Sequence, residues 1–100
     1  MKITDNTLFL EDIPVETLMQ EYGSPLYVYE ESVLRSQFRQ LSSGFPEGLL
    51  EIHYAMKANS NPSLLKILCE EGSSIDAVSE FEVRLALESG FMPHQIIFTG

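Results

Sequence analysis

Four side chains in this sequence sit where chemistry is possible. Lys57 closes the run Tyr54-Ala55-Met56-Lys57, which follows the apolar stretch Leu49-Leu50-Glu51-Ile52-His53. A lysine amine sheltered by Tyr54, Ala55, Met56 and Ala58 loses its proton more easily than a solvated one, because burial penalises the charged form. The neutral amine is a nucleophile that attacks an aldehyde and forms a Schiff base. On spacing alone, a solvated lysine just past a strand is the competing reading. Asp76 interrupts the apolar run Ile75-Asp76-Ala77-Val78. A buried carboxylate is costly unless it is paired or hydrogen-bonded, and a lysine amine on a neighbouring parallel strand is a suitable partner. An outward position at the strand end is the alternative. Glu82 follows Ser79 by three residues, a capping-box pattern that explains both without catalysis. Tyr54 can line the same site as Lys57. Cys69 lies one turn after Leu65 and reads as core. His53 and His94 have no ligand spacing with it, so no metal constellation is present, and no phosphate-cradling glycine loop is seen.

The elements that must position these groups follow from the pattern. The stretch 50–56 reads as a strand with Lys57 at its carboxyl end, which in a β/α barrel is the face where catalytic groups collect. Asn61-Pro62-Ser63 opens a helix whose buried face is Leu64, Leu65, Ile67 and Leu68, capped by Gly72. Residues 74–78 read as a second strand. Residues 79–89 read as a second helix, with Phe81, Val83, Leu85, Ala86 and Leu87, closed by Gly90. Residues 95–99 read as a third strand. Strand-helix-strand-helix-strand at this spacing implies parallel strands with right-handed crossovers. A doubly wound sheet fits the pattern equally well.

Upstream, residues 1–11 read as an extended arm anchored by Leu8-Phe9-Leu10. Pro14 opens a helix with Leu18, Met19 and Tyr22 on its stripe and Gly23 as its cap. Leu26-Tyr27-Val28-Tyr29 reads as a strand. Ser32 caps a further helix whose apolar face is Val33, Leu34, Phe38 and Leu41. Residues 44–48 form a loop with Phe45 tucked inward.

The chain has 100 residues, 44% of them hydrophobic and 21% charged, which makes one globular domain at most. A closed eight-stranded barrel needs about 250 residues. Residues 96–98 would leave an open apolar edge, so the chain is expected to be the N-terminal part of a longer protein, cut after residue 100. A net charge of -9 argues against nucleic acid and against an anionic membrane surface as partners. One cysteine allows no internal disulfide, and a reducing, cytoplasmic setting fits. The N-terminus is no signal peptide, and no run is long enough to span a bilayer.

Four blocks together resemble a known family. Tyr54-Ala55-Met56-Lys57-Ala58-Asn59-Ser60-Asn61 resembles the cofactor-lysine motif of the fold-type III pyridoxal-phosphate decarboxylases, the group that includes diaminopimelate, ornithine and arginine decarboxylases. Gly23-Ser24-Pro25-Leu26-Tyr27-Val28-Tyr29 is similar to the opening segment of the diaminopimelate enzymes. Ile75-Asp76-Ala77-Val78-Ser79-Glu80-Phe81-Glu82 and Ile96-Ile97-Phe98-Thr99-Gly100 are similar to two later family segments, in the family's order.

The resemblance implies the start of a β/α (TIM-type) barrel of the alanine racemase-like kind, over residues 32–100. Residues 1–31 would belong with a C-terminal β-domain that lies beyond this chain. It implies pyridoxal 5'-phosphate as cofactor, held by Lys57 as a Schiff base, with Tyr54, Asp76 and Glu82 near it and with Lys57 and Asp76 as catalytic residues. It implies a cytoplasmic homodimer that decarboxylates meso-diaminopimelate to L-lysine, the last step of lysine biosynthesis. A relative acting on ornithine, arginine or carboxynorspermidine, or a non-catalytic carrier of the cofactor, is the alternative. Alanine racemase fits less, because its Ala-Tyr-Gly-His run does not follow Lys57-Ala58-Asn59. The sequence departs from the family at Met56, Ser24 and Glu80-Phe81, which bears on substrate rather than cofactor.

Overall fold

The computed structural model describes residues 1–100 and divides them into two compact units, Met1–Ser36 and Gln37–Gly100.

The first unit opens on a three-stranded antiparallel meander: β1 (Lys2–Thr4), β2 (Thr7–Leu10) and β3 (Ile13–Pro14). This corrects the expected extended arm. Thr4 pairs with Thr7 and Leu10 with Ile13, so each connection is a two-residue turn. The turn residues Asp5, Asn6, Glu11 and Asp12 all have positive φ, between 50° and 70°. Two consecutive positive-φ residues make the hairpin turn whose twist matches that of the strands it joins. Aspartate and asparagine tolerate that conformation better than most side chains. Helix α1 (Val15–Tyr22) follows with Pro14 at its N-cap. It ends at Gly23, with φ 84°, whose N–H donates to the Met19 carbonyl at 2.8 Å.

Residues 26–29 form no strand, a second correction. A strand is stable only beside a partner ladder, and none of the six strands lies against this stretch. Its side chains stay exposed, Tyr27 at 90%. Helix α2 (Glu31–Ser43) begins one residue before Ser32, so Ser32 lies in its first turn rather than at its cap. There the Ser32 N–H donates to Glu11 Oε1 at 2.8 Å, and the hydroxyl donates to the same oxygen.

The second unit holds a three-stranded parallel sheet in the order β4 (His53–Ala55), β5 (Ser74–Ala77), β6 (Ile96–Phe98). Helix α3 (Pro62–Glu70) links the first pair and α4 (Glu80–Glu88) the second. The first strand is shorter than the expected 50–56. Leu49 and Leu50 are exposed, Ile52 only touches the ladder through its carbonyl to Ser74, and Phe45 is exposed rather than tucked in.

Both helices end in the same way. Gly72 donates to Cys69 O and Ser73 to Leu68 O; Gly90 donates to Leu87 O and Phe91 to Ala86 O. These paired bonds are Schellman closures, which need a residue at positive φ, and Gly72 and Gly90 supply it at 94° and 109°. The core lies between sheet and helices: Met56, Leu64, Leu65, Leu68, Ile75, Ala77, Ala86 and Phe91 are buried. Val83 and Leu85 are half-buried, but Phe81 is 69% exposed, and Leu87 and, on α2, Val33 and Leu41 are exposed too. The apolar stripes are therefore narrower than the sequence suggests. Arg39 and Glu71 tie α2 to the end of α3 through two bonds, at 2.5 and 2.9 Å.

Candidate active site

Parallel pairing fixes which residues share a face. His53 is level with Ser74, Tyr54 with Ile75 and with Ile96 beyond it, and Ala55 with Asp76 and then Ile97. Ile75 and Ala77 are fully buried beneath the helices. Side chains alternate along a strand, so Ala55 and Asp76 lie on the opposite face, free of the helices. That face is the inner surface that a closing barrel would enclose.

Lys57 follows this pattern. Met56 is fully buried on the core side and anchors the chain just before it. Lys57 sits in a tight turn closed by Ala58 N–H donating to Ala55 O at 3.1 Å. It comes after Ala55 by two residues, on the carboxyl end of β4, and its side chain is exposed. The expected apolar shelter around the amine is not provided by residues 1–100. Met56 faces the core instead, because alternation sends it the other way.

The loop beyond Lys57 is held by short polar contacts. Tyr54 lies on the helix side of the sheet, and its hydroxyl donates to the Asn59 carbonyl at 2.7 Å. Asn59 Oδ1 accepts from Asn61 N–H at 3.0 Å, and Asn61 Oδ1 caps α3 by accepting from Ser63 N–H at 2.9 Å. Pro62 occupies the first helical position, where its missing N–H costs nothing. Tyr54 thus braces the turn that carries Lys57.

Asp76 sits on the central strand, half-buried, and its Oδ1 accepts from the Thr99 hydroxyl at 2.5 Å. The sequence offered no reading of Thr99 as a partner of Asp76. A polar residue two positions after one level with Asp76 was the available signal. Ser79 caps α4 by accepting from Glu82 N–H at 3.1 Å. The Glu82 carboxylate reaches Val78 N–H at 2.9 Å, one residue upstream of the capping-box partner. It therefore stabilises the turn directly after the Asp76 strand.

One layer down the same face, His53 lies 3.2 Å from Glu51, which also accepts from the Ser74 hydroxyl at 3.1 Å. Cys69 is half-buried against Gly90, in keeping with a packing role. No group of three or more metal-ligating side chains is present.

An amine and a carboxylate at the carboxyl ends of adjacent parallel strands, with helices on the other face, define the opening βα units of a β/α barrel enzyme. The family description "Pyridoxal-dependent decarboxylase, pyridoxal binding domain" matches residues 31–100. The chain belongs to this family, and the doubly wound alternative falls away. A diaminopimelate decarboxylase of Aquifex aeolicus is 39% identical over the whole chain, which covers 23% of that relative. One of Methanothermobacter thermautotrophicus is 46% identical over 85 residues, 83% of this chain and 20% of that one. Among solved structures, one from Aquifex aeolicus superposes with a TM-score of 0.91 at 38% identity, covering 99% of this chain and 24% of that one. A Helicobacter pylori diaminopimelate decarboxylase complexed with L-lysine gives 0.77 at 36% identity, covering 84% and 21%. The chain thus spans between a fifth and a quarter of these relatives.

The residues present fit an aldehyde cofactor. A primary amine stands on an exposed turn, the small Ala55 side chain leaves the inner face open beside it, and a carboxylate lies level with Ala55 on the next strand.

Proposed function

We propose that this chain carries the cofactor lysine of a pyridoxal-phosphate-dependent amino-acid decarboxylase, acting on meso-diaminopimelate to release carbon dioxide and L-lysine. The observation that carries the reading is the register of β4 and β5, which sets Asp76 level with Ala55, two residues before Lys57 at the carboxyl end of β4. The names of the similar proteins support the substrate.

Lys57 is the residue that would hold the cofactor, its exposed amine being the nucleophile an aldehyde group requires. Pyridoxal phosphate, when bound, supplies the sink for the electron pair left as carbon dioxide departs. Asp76 would place a carboxylate beside the amine end of the bound cofactor. Glu82 and Ser79 hold the loop after Asp76, and Tyr54 holds the loop after Lys57. Residues 1–31 are assigned to an arm that joins a β-domain, and the working unit to a cytoplasmic homodimer. No helix is long and apolar enough to cross a membrane.

A second reading keeps the site and changes the substrate. A lysine/ornithine decarboxylase of Vibrio vulnificus complexed with putrescine superposes with a TM-score of 0.77 at 30% identity over 84% of this chain. Carbon dioxide release from meso-diaminopimelate, ornithine and arginine, measured side by side on the full-length protein with cofactor, separates the two. Release from diaminopimelate alone is expected. Release from ornithine or arginine instead moves the substrate, and borohydride reduction that labels a lysine other than Lys57 rejects the site.

A further inference from the structure

Thr99 lies just past the end of β6 and makes two bonds to the central strand. Its N–H donates to the Ala77 carbonyl at 2.9 Å, extending the β5–β6 ladder one residue beyond Phe98. Its hydroxyl donates to Asp76 Oδ1 at 2.5 Å. The register explains why both are possible. Ile97 is level with Asp76, and Thr99, two residues on, returns to the same face. The backbone bond fixes where the side chain starts, and the β-branch restricts its first torsion.

We propose that Thr99 is a positioning residue that sets the orientation of the Asp76 carboxylate toward the Lys57 end of the sheet. This rests on the assignment of Lys57 and Asp76 made above and adds a residue to it. The last torsion of an aspartate is broad and roughly two-fold, so its strand alone does not decide which way the carboxylate plane lies. A hydroxyl bound to Oδ1 selects one setting. It leaves Oδ2 and the remaining lone pair of Oδ1 for a cationic or N–H group at the turn of Lys57. A hydroxyl bonded to an ionised carboxylate is among the stronger neutral-to-charged contacts, so the setting is well held. Strand pairing does not demand a hydroxyl here. Valine has the same shape and pairs as well in a strand, so the oxygen is accounted for by its partner.

The test compares Thr99→Val, Thr99→Ser, Asp76→Asn and the Thr99→Val/Asp76→Asn double variant in the holoenzyme. The readouts are the absorbance of the lysine-bound cofactor, the cofactor dissociation constant, kcat and KM. Thr99→Val is expected to weaken cofactor binding or lower kcat/KM about tenfold, as loss of one hydrogen bond to a charged group implies. Thr99→Ser is expected to stay within about threefold of the parent, because it keeps the hydroxyl. In the Asp76→Asn background, Thr99→Val should add little, since the two act as a pair. Melting of the cofactor-free protein should not separate Thr99→Val from Thr99→Ser. A Thr99→Ser variant as impaired as Thr99→Val would reduce Thr99 to a packing role. Full additivity with Asp76→Asn would overturn the proposal equally. Borohydride reduction of the parent keeps the two readings apart. If it labels Lys57 while Thr99→Val behaves as the parent, only this inference falls. If it leaves Lys57 unlabelled, the functional assignment falls with it.

Discussion

Lys57 owes its position to its neighbour. Met56 is fully buried directly after β4, and Lys57, next to it in the turn, is exposed. A polar residue at 56 would remove that anchor and leave the turn free to rotate. Asp76 is anchored in the same way by Ile75 and Ala77, both fully buried on either side of it. Its own side chain contributes little to that packing, since its only side-chain bond is to a hydroxyl at the strand end. Asp76→Ala is therefore expected to reduce turnover of the holoenzyme at least about 100-fold, the scale of losing a fixed charge in an active site. It should move the melting temperature of the cofactor-free protein by no more than a surface substitution does. Normal turnover with an unchanged melting curve would return Asp76 to the surface role that its spacing also allowed. The sequence made Lys57 and Asp76 legible because each breaks an apolar strand pattern. Thr99 broke none, and only the register gave it a partner.

Among the elements, the caps of α3 and α4 agreed with the sequence, whereas Ser32 on α2 and the strand edges did not. Asn61 with Pro62, Ser79 with Glu82, Gly72 and Gly90 all act where their residue types placed them, because a cap is a local bargain between a side chain and the nearest backbone. The meander of residues 2–14 was missed because Asp5-Asn6 and Glu11-Asp12 lack the glycine that usually signals a hairpin turn. Unit one carries its own test. The Ser32 hydroxyl, and then its backbone N–H, donate to Glu11 and hold that carboxyl below the usual carboxylate value. A carboxyl lowered by folding contributes stability above its unfolded value and loses it as pH falls through the lowered one. Glu11 should thus titrate at lower pH in the folded protein than in the unfolded chain, as read by NMR of its side-chain carbon. Ser32→Ala, which removes the larger of the two bonds, should bring it most of the way back. An unshifted Glu11 in the parent protein would show that the bond does not persist in solution.

At the scale of the whole molecule, the parallel sheet leaves one face without helices and both outer strands without a second neighbour. Ile97 and Phe98 on β6 are exposed at 47% and 59%. The homodimer assigned to the full-length protein predicts a molar mass in solution of twice the chain mass. Light scattering that finds a fully active monomer would reject shared active sites.

The sequence by itself determined the order of strands and helices in residues 53–98, the caps of the two helices between them, and the family. These depend on periodicity, on local backbone bonds and on a contiguous motif, all of which are written along the chain. Tertiary structure alone decided that residues 26–29 form no strand, that Phe81 and Phe45 stay exposed, that Tyr54 braces a loop from the helix side, and that Thr99 holds Asp76. Apart from the Tyr54–Asn59 bond, which spans five residues, each of these depends on a partner far along the chain, or on the lack of one. The pattern of a segment records what it can bury, and only the register with its neighbours decides against what.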